Sequence, residues 1–197
     1  MVLQALDIVG VFVFAISGAL VAVRKDMDIF GMFVLAFLPA VGGGTLRDLI
    51  LDVPVFWTTD VTYVGLTALA VSCVFFGHRF VSDATCWLTW MDAVGLSVFS
   101  VLGCQKALET GVGGVVAVMM GVITAVAGGV IRDVVANDVP YVLKQEIYAT
   151  AALVGSAAYL LLVPLHSEWV VWVAIAAALS VRSAGIVWSL SLPKAKL

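Results

Sequence analysis

Charged residues are scarce in this chain: Asp, Glu, Lys and Arg together make up 12% of its 197 residues. A soluble domain usually has about twice that fraction. Hydrophobic residues account for 63% of the chain and mean hydropathy is +1.15, which is more apolar material than a water-soluble core could bury. We therefore expect lipid to surround most of the chain. No basic tract is present, which argues against nucleic acid as a partner.

Residue types that commonly perform chemistry are also few. The three cysteines, Cys73, Cys86 and Cys104, form an odd set without metal-ligand spacing, so neither a disulfide nor a zinc site is expected. No nucleophile and base, and no set of metal ligands, occur in a pattern typical of catalysis. We expect no enzymatic activity, no catalytic residue, no metal site and no cofactor.

Several apolar windows are long enough to cross a bilayer as helices, since about 20 residues span the hydrocarbon core. Residues 1–23 lack the basic start and the cleavage site of a signal peptide, so they belong to the first window. The connecting stretches are too short to be domains, and the chain 1–197 is predicted to be a single all-α membrane domain. The seven windows are 6–23, 29–50, 60–78, 89–107, 113–135, 146–163 and 168–189.

Lys and Arg are distributed unequally between the two sets of loops. On one side only Arg47 and Lys106 occur, and both lie near the ends of spans. Because cytoplasmic loops are enriched in Lys and Arg, we expect the amino terminus outside and the carboxyl terminus in the cytoplasm. The basic residues of the predicted cytoplasmic loops and tail are Arg24, Lys25, Arg79, Lys144, Lys194 and Lys196.

The two halves of the chain resemble each other when the sequence is shifted by 85 residues. Residues 7–48 and 92–133 are identical at 13 of 42 positions, where this composition would give roughly three or four by chance. The first repeat covers about 6–79 and the second about 89–163, and a further helix at about 168–189 lies outside them. Since each repeat has an odd number of spans, the second must enter the membrane from the opposite face, as an inverted repeat.

Spans two and five contain glycine runs, at 42–44 and 128–129, inside otherwise apolar helices. Each glycine costs a helix interior about 1 kcal/mol relative to alanine, and Pro39 leaves the carbonyl of Leu35 without its helical donor. We expect both helices to break there, near the bilayer midplane, with freed carbonyls replacing part of a cation's hydration shell. The alternative is that glycine only lets neighbouring helices approach closely.

Arg47 and Arg132 follow the two glycine runs, and a charged residue at membrane depth is by default a functional candidate. Each is followed directly by an aspartate, but helix neighbours at i and i+1 do not face each other. Asp7 and Asp92 begin spans one and four at the matching depths. We therefore predict two symmetric ion pairs, Asp7–Arg47 and Asp92–Arg132, one at each mouth. The alternative is that the arginines snorkel to the headgroups.

Other polar residues in the spans are less clearly assigned. Lys106, near the outer end of span four, is either a gate charge or a snorkelling anchor. Arg182 in span seven is expected to snorkel to the cytoplasm. Glu146 and Tyr148, at the start of span six, are polar candidates without a defined role.

Five segments of the chain are distinctive: SGALVAVRKDMDIFG, GGGTLRDLILDVPVFW, MDAVGLSVFSVLGCQKAL, AGGVIRDVVANDVP and YATAALVG. Together they resemble the prokaryotic trimeric intracellular cation (TRIC) channels, a family also labelled as a bacterial glycine-transporter domain. The resemblance covers nearly the whole chain. It implies a homotrimer in a prokaryotic cell membrane, in which each subunit has its own potassium pore lined by spans two and five.

The resemblance and the ion-pair argument together define a candidate site. One departure from the pattern is Ala127, which stands where the first motif has a glycine. Expected partners are two further copies of the chain, membrane lipid and inorganic cations, with potassium as the permeant ion. The expected ion path comprises Gly42, Gly43, Gly44, Thr45, Gly128 and Gly129, and the gating or ion-pair set comprises Arg47, Asp48, Arg132, Asp133, Asp7, Asp92 and Lys106.

Two functions remain open on physical grounds. A passive cation channel fits the carbonyl-rich glycine runs. A secondary transporter of glycine or another small neutral solute fits an inverted repeat equally well, because unwound helices bind zwitterions between an amide end and a carbonyl end. The family resemblance favours the channel.

Overall fold

The computed structural model describes residues 2–78, 83–144 and 147–190. Arg79, Glu146, Lys194 and Lys196, which the sequence singles out, lie outside these ranges. Within them the regular secondary structure is helical, and no strand occurs. The helices are α1 (Val2–Arg24), α2 (Ile29–Ile50), α3 (Phe56–Thr59), α4 (Thr62–Gly77), α5 (Ala84–Glu109), α6 (Gly114–Val135), α7 (Tyr141–Lys144), α8 (Ala149–Leu162) with a 3-10 turn (Val163–Leu165), and α9 (Trp169–Val187).

Five helices, α1, α2, α5, α6 and α9, are long and apolar enough to cross a membrane. The other two apolar helices are shorter, because α4 has 16 residues and α8 has 14. At a rise of about 1.5 Å per residue, α4 spans about 24 Å. The expected windows 60–78 and 146–163 are slightly longer than these helices, which begin at Thr62 and Ala149, after the short helices α3 and α7.

Four long helices form the centre of the molecule. Helix α1 packs against α2 and α5, and α6 packs against α5 and α2. Helix α4 lies against α1 and α2, as α8 lies against α5 and α6, so the two halves of the chain have the same packing pattern. Helix α9 has no counterpart, and it packs against α8 and α5.

The chain leaves α2 and α6 through the same kind of turn. Asp52 and Asn137 adopt left-handed backbone, with φ of 53° and 55°, and these residue types tolerate that conformation best after glycine. One residue further on, the amide of Val53 donates to the carbonyl of Asp48, and Asp138 donates in the same way to Asp133. These turns direct the chain into α3 and α7, which then lie beside the ends of the long helices.

Candidate functional site

The two glycine runs lie where α2 and α6 cross. A Cβ atom on Gly43 would overlap the carbonyl oxygen of Thr124, and one on Gly128 would lie 2.5 Å from the carbonyl oxygen of Pro39. Along the chain the order of these contacts is reversed, so α2 and α6 run antiparallel. Their carboxyl-terminal ends, which bear the two Arg-Asp pairs, therefore point in opposite directions.

The expected breaks in the two helices are wrong. Helix α2 is continuous through residues 42–44 and α6 through 127–129. The glycines instead let the two helices approach each other closely, which was the alternative interpretation. A residue without a side chain allows a neighbouring backbone to come close without breaking its own helix. The carbonyl of Leu35, which Pro39 deprives of a donor, is not free to bind a cation either. It packs against Gly18 of α1, where a Cβ atom would overlap it.

The remaining residues of the expected ion path have ordinary packing roles. Gly44 leaves space for the ring of Phe56, and Gly129 leaves space for the hydroxyl of Tyr148. A Cβ atom on Gly42 would meet only the tip of Ile131, at 2.9 Å. Thr45 donates to the carbonyl of Val41 and accepts a hydrogen bond from the indole of Trp57.

A group of polar residues at the carboxyl end of α6 is fully enclosed. The Nη1 atom of Arg132 lies 2.8 Å from Oδ1 of Asp92 and 3.0 Å from the hydroxyl of Ser17. Its Nε atom lies 2.9 Å from Oδ1 of Asp133. The hydroxyl of Tyr148 donates to Asp92 at 3.2 Å. The ion pair that the sequence predicts between Asp92 and Arg132 is therefore present, and both residues are 0% exposed.

Helix α9 adds a second arginine to this group. The guanidinium of Arg182 lies 4.9 Å above the ring of Tyr148, and its Nη1 atom donates to the carbonyl of Ile147. Arg182 is only 1% exposed, so the expectation that it snorkels to the cytoplasm is wrong. The aromatic face and the backbone carbonyl replace part of the water that its charge would need, while its Nε and Nη2 atoms are buried without a hydrogen-bond partner among the described residues. We call Asp92, Arg132, Asp133, Tyr148 and Arg182 the Arg132 cluster.

The corresponding residues at the end of α2 are arranged differently. The Nε atom of Arg47 lies 2.8 Å from Oδ1 of Asp48, and the ammonium of Lys106 lies 3.0 Å from the same oxygen. Asp7 accepts a hydrogen bond from the hydroxyl of Tyr63. We call these five residues, Asp7, Arg47, Asp48, Tyr63 and Lys106, the Arg47 cluster.

The predicted Asp7–Arg47 ion pair is not formed, although the corresponding Asp92–Arg132 pair of the second repeat is formed. Among the described residues, the ion-pair partner of Arg47 is its neighbour Asp48. The sequence argument that i and i+1 side chains diverge holds for their Cβ atoms, but the long arginine side chain turns its Nε atom back towards the aspartate. The same Nε contact occurs at Arg132, which in addition reaches Asp92 with a terminal nitrogen.

Each of the two neighbouring aspartates also anchors a short helix. The amide of Phe56, at the start of α3, donates to Oδ2 of Asp48 at 3.0 Å. The amide of Tyr141, at the start of α7, donates to Oδ2 of Asp133 at the same distance. The two aromatic rings then lie beside the arginines, with 6.0 Å from Phe56 to Arg47 and 5.6 Å from Tyr141 to Arg132. Each carboxylate therefore joins an arginine to a segment outside the long helices.

A polar cavity lies beside each cluster. The cavity at the Arg47 cluster has a volume of about 260 Å³, and Asp7, Arg47, Tyr63 and Lys106 line it. The cavity at the Arg132 cluster is smaller, about 90 Å³, and it reaches Asp133 but not the buried Asp92–Arg132 pair. The clusters thus differ in access, because Asp7 and Arg47 line a cavity whereas Asp92 and Arg132 do not. The residues lining the smaller cavity are Val21, Arg24, Leu88, Asp133, Asp138, Val139, Tyr141 and Lys144.

An ion pair between loops lies at the smaller cavity. The ammonium of Lys25, just after α1, is 2.7 Å from Oδ1 of Asp138, in the loop after α6. Both side chains are about one-third exposed, so solvent screens the pair and it contributes little to stability. The hydrogen bond from Lys25 lowers the pKa of the Asp138 carboxyl below its ordinary value.

Sequence reasoning singled out Tyr148 without giving it a role, and it missed the other aromatic partners of the two clusters. Tyr63 and Tyr148 are 85 residues apart, as are Phe56 and Tyr141, so the shift that aligns the repeats also aligns these residues. Extending the self-comparison beyond residue 48 would have found them. Ser17 has no such signal, because the matching position is Leu102.

The chain is similar to known membrane proteins over nearly its whole length. The sequence model of a family described as "Glycine transporter" matches it twice, at residues 4–79 and 89–164. The UPF0126 inner membrane protein YadS of Escherichia coli (strain K12) is 44% identical, over 98% of this chain and 96% of that protein. A UPF0126 membrane protein of Vibrio cholerae is 40% identical, over 97% of this chain and 82% of that protein.

Solved structures with the same fold are also similar in sequence. A TRIC trimeric intracellular cation channel orthologue from Rhodobacter sphaeroides has a TM-score of 0.91 and 45% identity, covering 96% of this chain and 99% of that one. A structure of a prokaryotic TRIC channel in 0.5 M KCl has a TM-score of 0.92 and 32% identity, covering 98% and 99%. Both likenesses include the helices that bear the two clusters.

Proposed function

Because the chain belongs to the TRIC family, we propose that it forms a homotrimeric channel for monovalent cations, chiefly potassium, with one pore in each subunit. The similar structures are described as TRIC cation channels, and the one from Rhodobacter sphaeroides as trimeric. The observation that supports this most directly is the pair of charged clusters at opposite ends of the antiparallel helices α2 and α6. Each cluster adjoins a polar cavity.

The proposed topology has seven membrane spans, in two inverted repeats of three and one additional helix. The antiparallel crossing of α2 and α6 supports it, and so does the double match of the family model at residues 4–79 and 89–164. In this topology the amino terminus is outside and the carboxyl terminus cytoplasmic, so the Arg47 cluster is the outer one. A relative named as an inner membrane protein supports placement in that membrane.

The proposed pore runs along the contact between α2 and α6. A cation enters the outer cavity beside Asp7, passes the glycine crossing, and leaves through the inner cavity beside Asp133 and Asp138. In this proposal the carboxylates at both ends bind the cation, although two basic side chains also line each cavity. The glycines let the backbones of the two helices lie close together. A movement of one helix against the other at this contact would open the passage.

The described conformation corresponds to a channel closed at its inner end. The Asp92–Arg132 pair is fully buried, so water has no access to it. Opening requires the guanidinium of Arg132 to leave Asp92 and Ser17 while it keeps its contact with Asp133. The outer cluster has the contacts that this opening would produce in the inner one, because Arg47 contacts Asp48 and forms no ion pair with Asp7.

Planar-bilayer recording of the purified trimer tests this proposal. We expect potassium currents at rates far above transporter turnover, and altered currents in Arg47→Ala and Arg132→Ala variants that still elute as trimers. Absence of unitary currents in the wild-type protein would contradict a channel. Unchanged currents in both variants would remove the two clusters from the path.

Accessibility mapping tests the topology separately. In a background in which Cys73, Cys86 and Cys104 are replaced by serine, single cysteines at Asp52 and Asp138 should react with an impermeant maleimide from opposite sides of the membrane. The two residues follow the ends of α2 and α6. Labelling of both from the same side would exclude an inverted repeat and the pore that depends on it.

A secondary transporter of glycine or another small neutral solute is the second candidate. One observation favours it: the outer cluster opens into a cavity of about 260 Å³, while the inner Asp92–Arg132 pair is fully buried. A transporter exposes its site to one side at a time in this manner. Saturable glycine uptake into proteoliposomes, without unitary currents, would favour the transporter over the channel.

A further inference from the structure

Resting on the proposed channel function, we infer that Arg182 is a second partner of Asp92, which binds the carboxylate when Arg132 leaves it. The proposed opening separates Arg132 from Asp92 inside an enclosed part of the protein. The carboxylate then needs another cation, because removal of one member of a buried ion pair leaves an uncompensated charge. Arg182, on α9, is the other arginine of the Arg132 cluster and is 1% exposed.

Buried polar atoms without a partner are concentrated in this cluster. Among the described residues, five buried side-chain nitrogen and oxygen atoms have no hydrogen-bond partner, and four of them are Oδ2 of Asp92, Nη2 of Arg132, and Nε and Nη2 of Arg182. Proteins leave few buried polar atoms unpaired, so each exception needs a physical reason. An acceptor on Asp92 and two donors on Arg182 are therefore unused within one enclosed cluster.

The side chain of Tyr148 connects Arg182 to Asp92. The hydroxyl of Tyr148 donates to Oδ1 of Asp92 at 3.2 Å, and the guanidinium of Arg182 lies 4.9 Å from the centre of the same ring. The Nη1 atom of Arg182 donates to the carbonyl of Ile147 at 3.1 Å, which holds the guanidinium on the ring while Arg132 occupies Asp92. A shift of this guanidinium along the ring, towards the hydroxyl, brings an unused donor to Oδ2 of Asp92.

The outer cluster shows why a second arginine is needed at the inner end. Asp7, the counterpart of Asp92, lines the cavity of about 260 Å³, so water can reach its carboxylate without an arginine partner. Asp92 is 0% exposed and lines neither that cavity nor the one beside Asp133. A buried charge must be paired within the protein. Helix α9, which lies outside the repeats, supplies this pairing through Arg182.

Open probability in planar bilayers tests the inference. In Arg182→Met the open state loses the replacement partner of Asp92, so open probability should fall by about tenfold or more. Arg182→Lys keeps the charge and should stay closer to the wild type, and Arg182→Gln is a second neutral variant. Ser180→Met, on the exposed face of the same helix, is the matched control and should behave as the wild type.

The same substitution in an Asp92→Asn background distinguishes a change of partner from repulsion between the two arginines. Without a charge on residue 92 there is no carboxylate for Arg182 to bind, so Arg182→Met should change open probability little in this background. Repulsion between Arg132 and Arg182 would give an undiminished effect there, and the inference would be wrong. It would also be wrong if the folded Arg182→Met trimer opened as often as the wild type, or more often.

Thermal unfolding of the trimer tests the pairing without channel activity. In Arg132→Met the carboxylate of Asp92 depends on Arg182, so adding Arg182→Met should lower the melting temperature more than it does in the wild-type background. Equal shifts in the two backgrounds would exclude Arg182 as a partner of Asp92. If the wild type passes no potassium current, the channel proposal itself fails, and the melting temperatures still decide whether Arg182 pairs with Asp92.

Discussion

Replacing Asp92 by asparagine removes one negative charge from the Arg132 cluster and keeps the size of the side chain. In the structure Arg132 and Arg182 contribute two positive charges, and Asp92 and Asp133 two negative ones, so the cluster is neutral. The variant leaves a net positive charge in an enclosed site. A movement of the Arg132 guanidinium towards water then lowers its electrostatic free energy, and the polar cavity beside Asp133 can receive it.

The size of the effect follows from the contact that is weakened. The Asp92–Arg132 contact is a charge-assisted hydrogen bond of 2.8 Å between two groups with no solvent exposure. Such bonds contribute about 1.5–3 kcal/mol, and asparagine retains the neutral part of the interaction with Arg132 and Tyr148. A loss near the lower end, about 1.4 kcal/mol, changes an equilibrium about tenfold. We expect the ratio of open to closed channel to rise by about that factor.

Open probability in planar bilayers measures this ratio directly. The matching variant Asp7→Asn should have a smaller effect, because Asp7 has a tyrosine partner where Asp92 has an arginine as well. A folded Asp92→Asn trimer with an open probability equal to or below that of the wild type would refute the reasoning. The buried pair would then be a fixed structural element that does not take part in gating.

Two other predictions concern the helix crossing and the loop after α6. Gly43→Ala should lower the melting temperature in detergent, because overpacking a close contact costs about 1–3 kcal/mol, whereas Gly65→Ala, with nothing within 4 Å, should not lower it. Equal melting temperatures would exclude the close contact as a source of stability. The Asp138 carboxyl has its pKa lowered by Lys25, so this interaction is present at neutral pH and is lost as pH falls below its ordinary value of 3.8. Carbon-13 NMR should show a higher pKa in Lys25→Met, and an unchanged value would mean that the pair is absent in solution.

The long helices could be predicted from the sequence because the bilayer sets their length. The boundaries of α2, 29–50, agree with the structure, and those of α6 differ by one residue. The Asp92–Arg132 pair was also predictable, since both residues are expensive in lipid and lie at matching depths. In these two cases one property of the bilayer, its thickness or its exclusion of charge, determines the structure, and the neighbouring residues matter little.

The absence of the predicted Asp7–Arg47 pair could not be foreseen from the sequence, because it depends on residues that the repeats do not share. Arg132 has Ser17 as an additional acceptor, and the position that matches Ser17 in the other repeat is Leu102. Lys106 adds a charge to the Arg47 cluster where the Arg132 cluster has Val21. Identical charged residues therefore form different contacts because their neighbours differ.

The glycine runs and Arg182 show a second limit. A glycine in a helix is equally consistent with a break and with a close contact, and only the position of the neighbouring backbone decides between them. At Gly43 and Gly128 that neighbour is the other helix of the pair. Arg182 is buried against Tyr148 and the carbonyl of Ile147, and no local pattern in α9 indicates those contacts.

In both Asp48 and Asp133 the two carboxylate oxygens have different partners. Each aspartate thereby connects a long helix to the short helix in the loop that follows it. One oxygen accepts from an arginine at depth, while the other accepts from the first amide of a short helix in the following loop. A displacement of either arginine therefore pulls on α3 or α7 through a single rigid side chain. A fluorophore attached to one of these short helices would detect a displacement of the arginine from the aqueous phase. A molecule that binds the same helix would in turn change the position of the arginine.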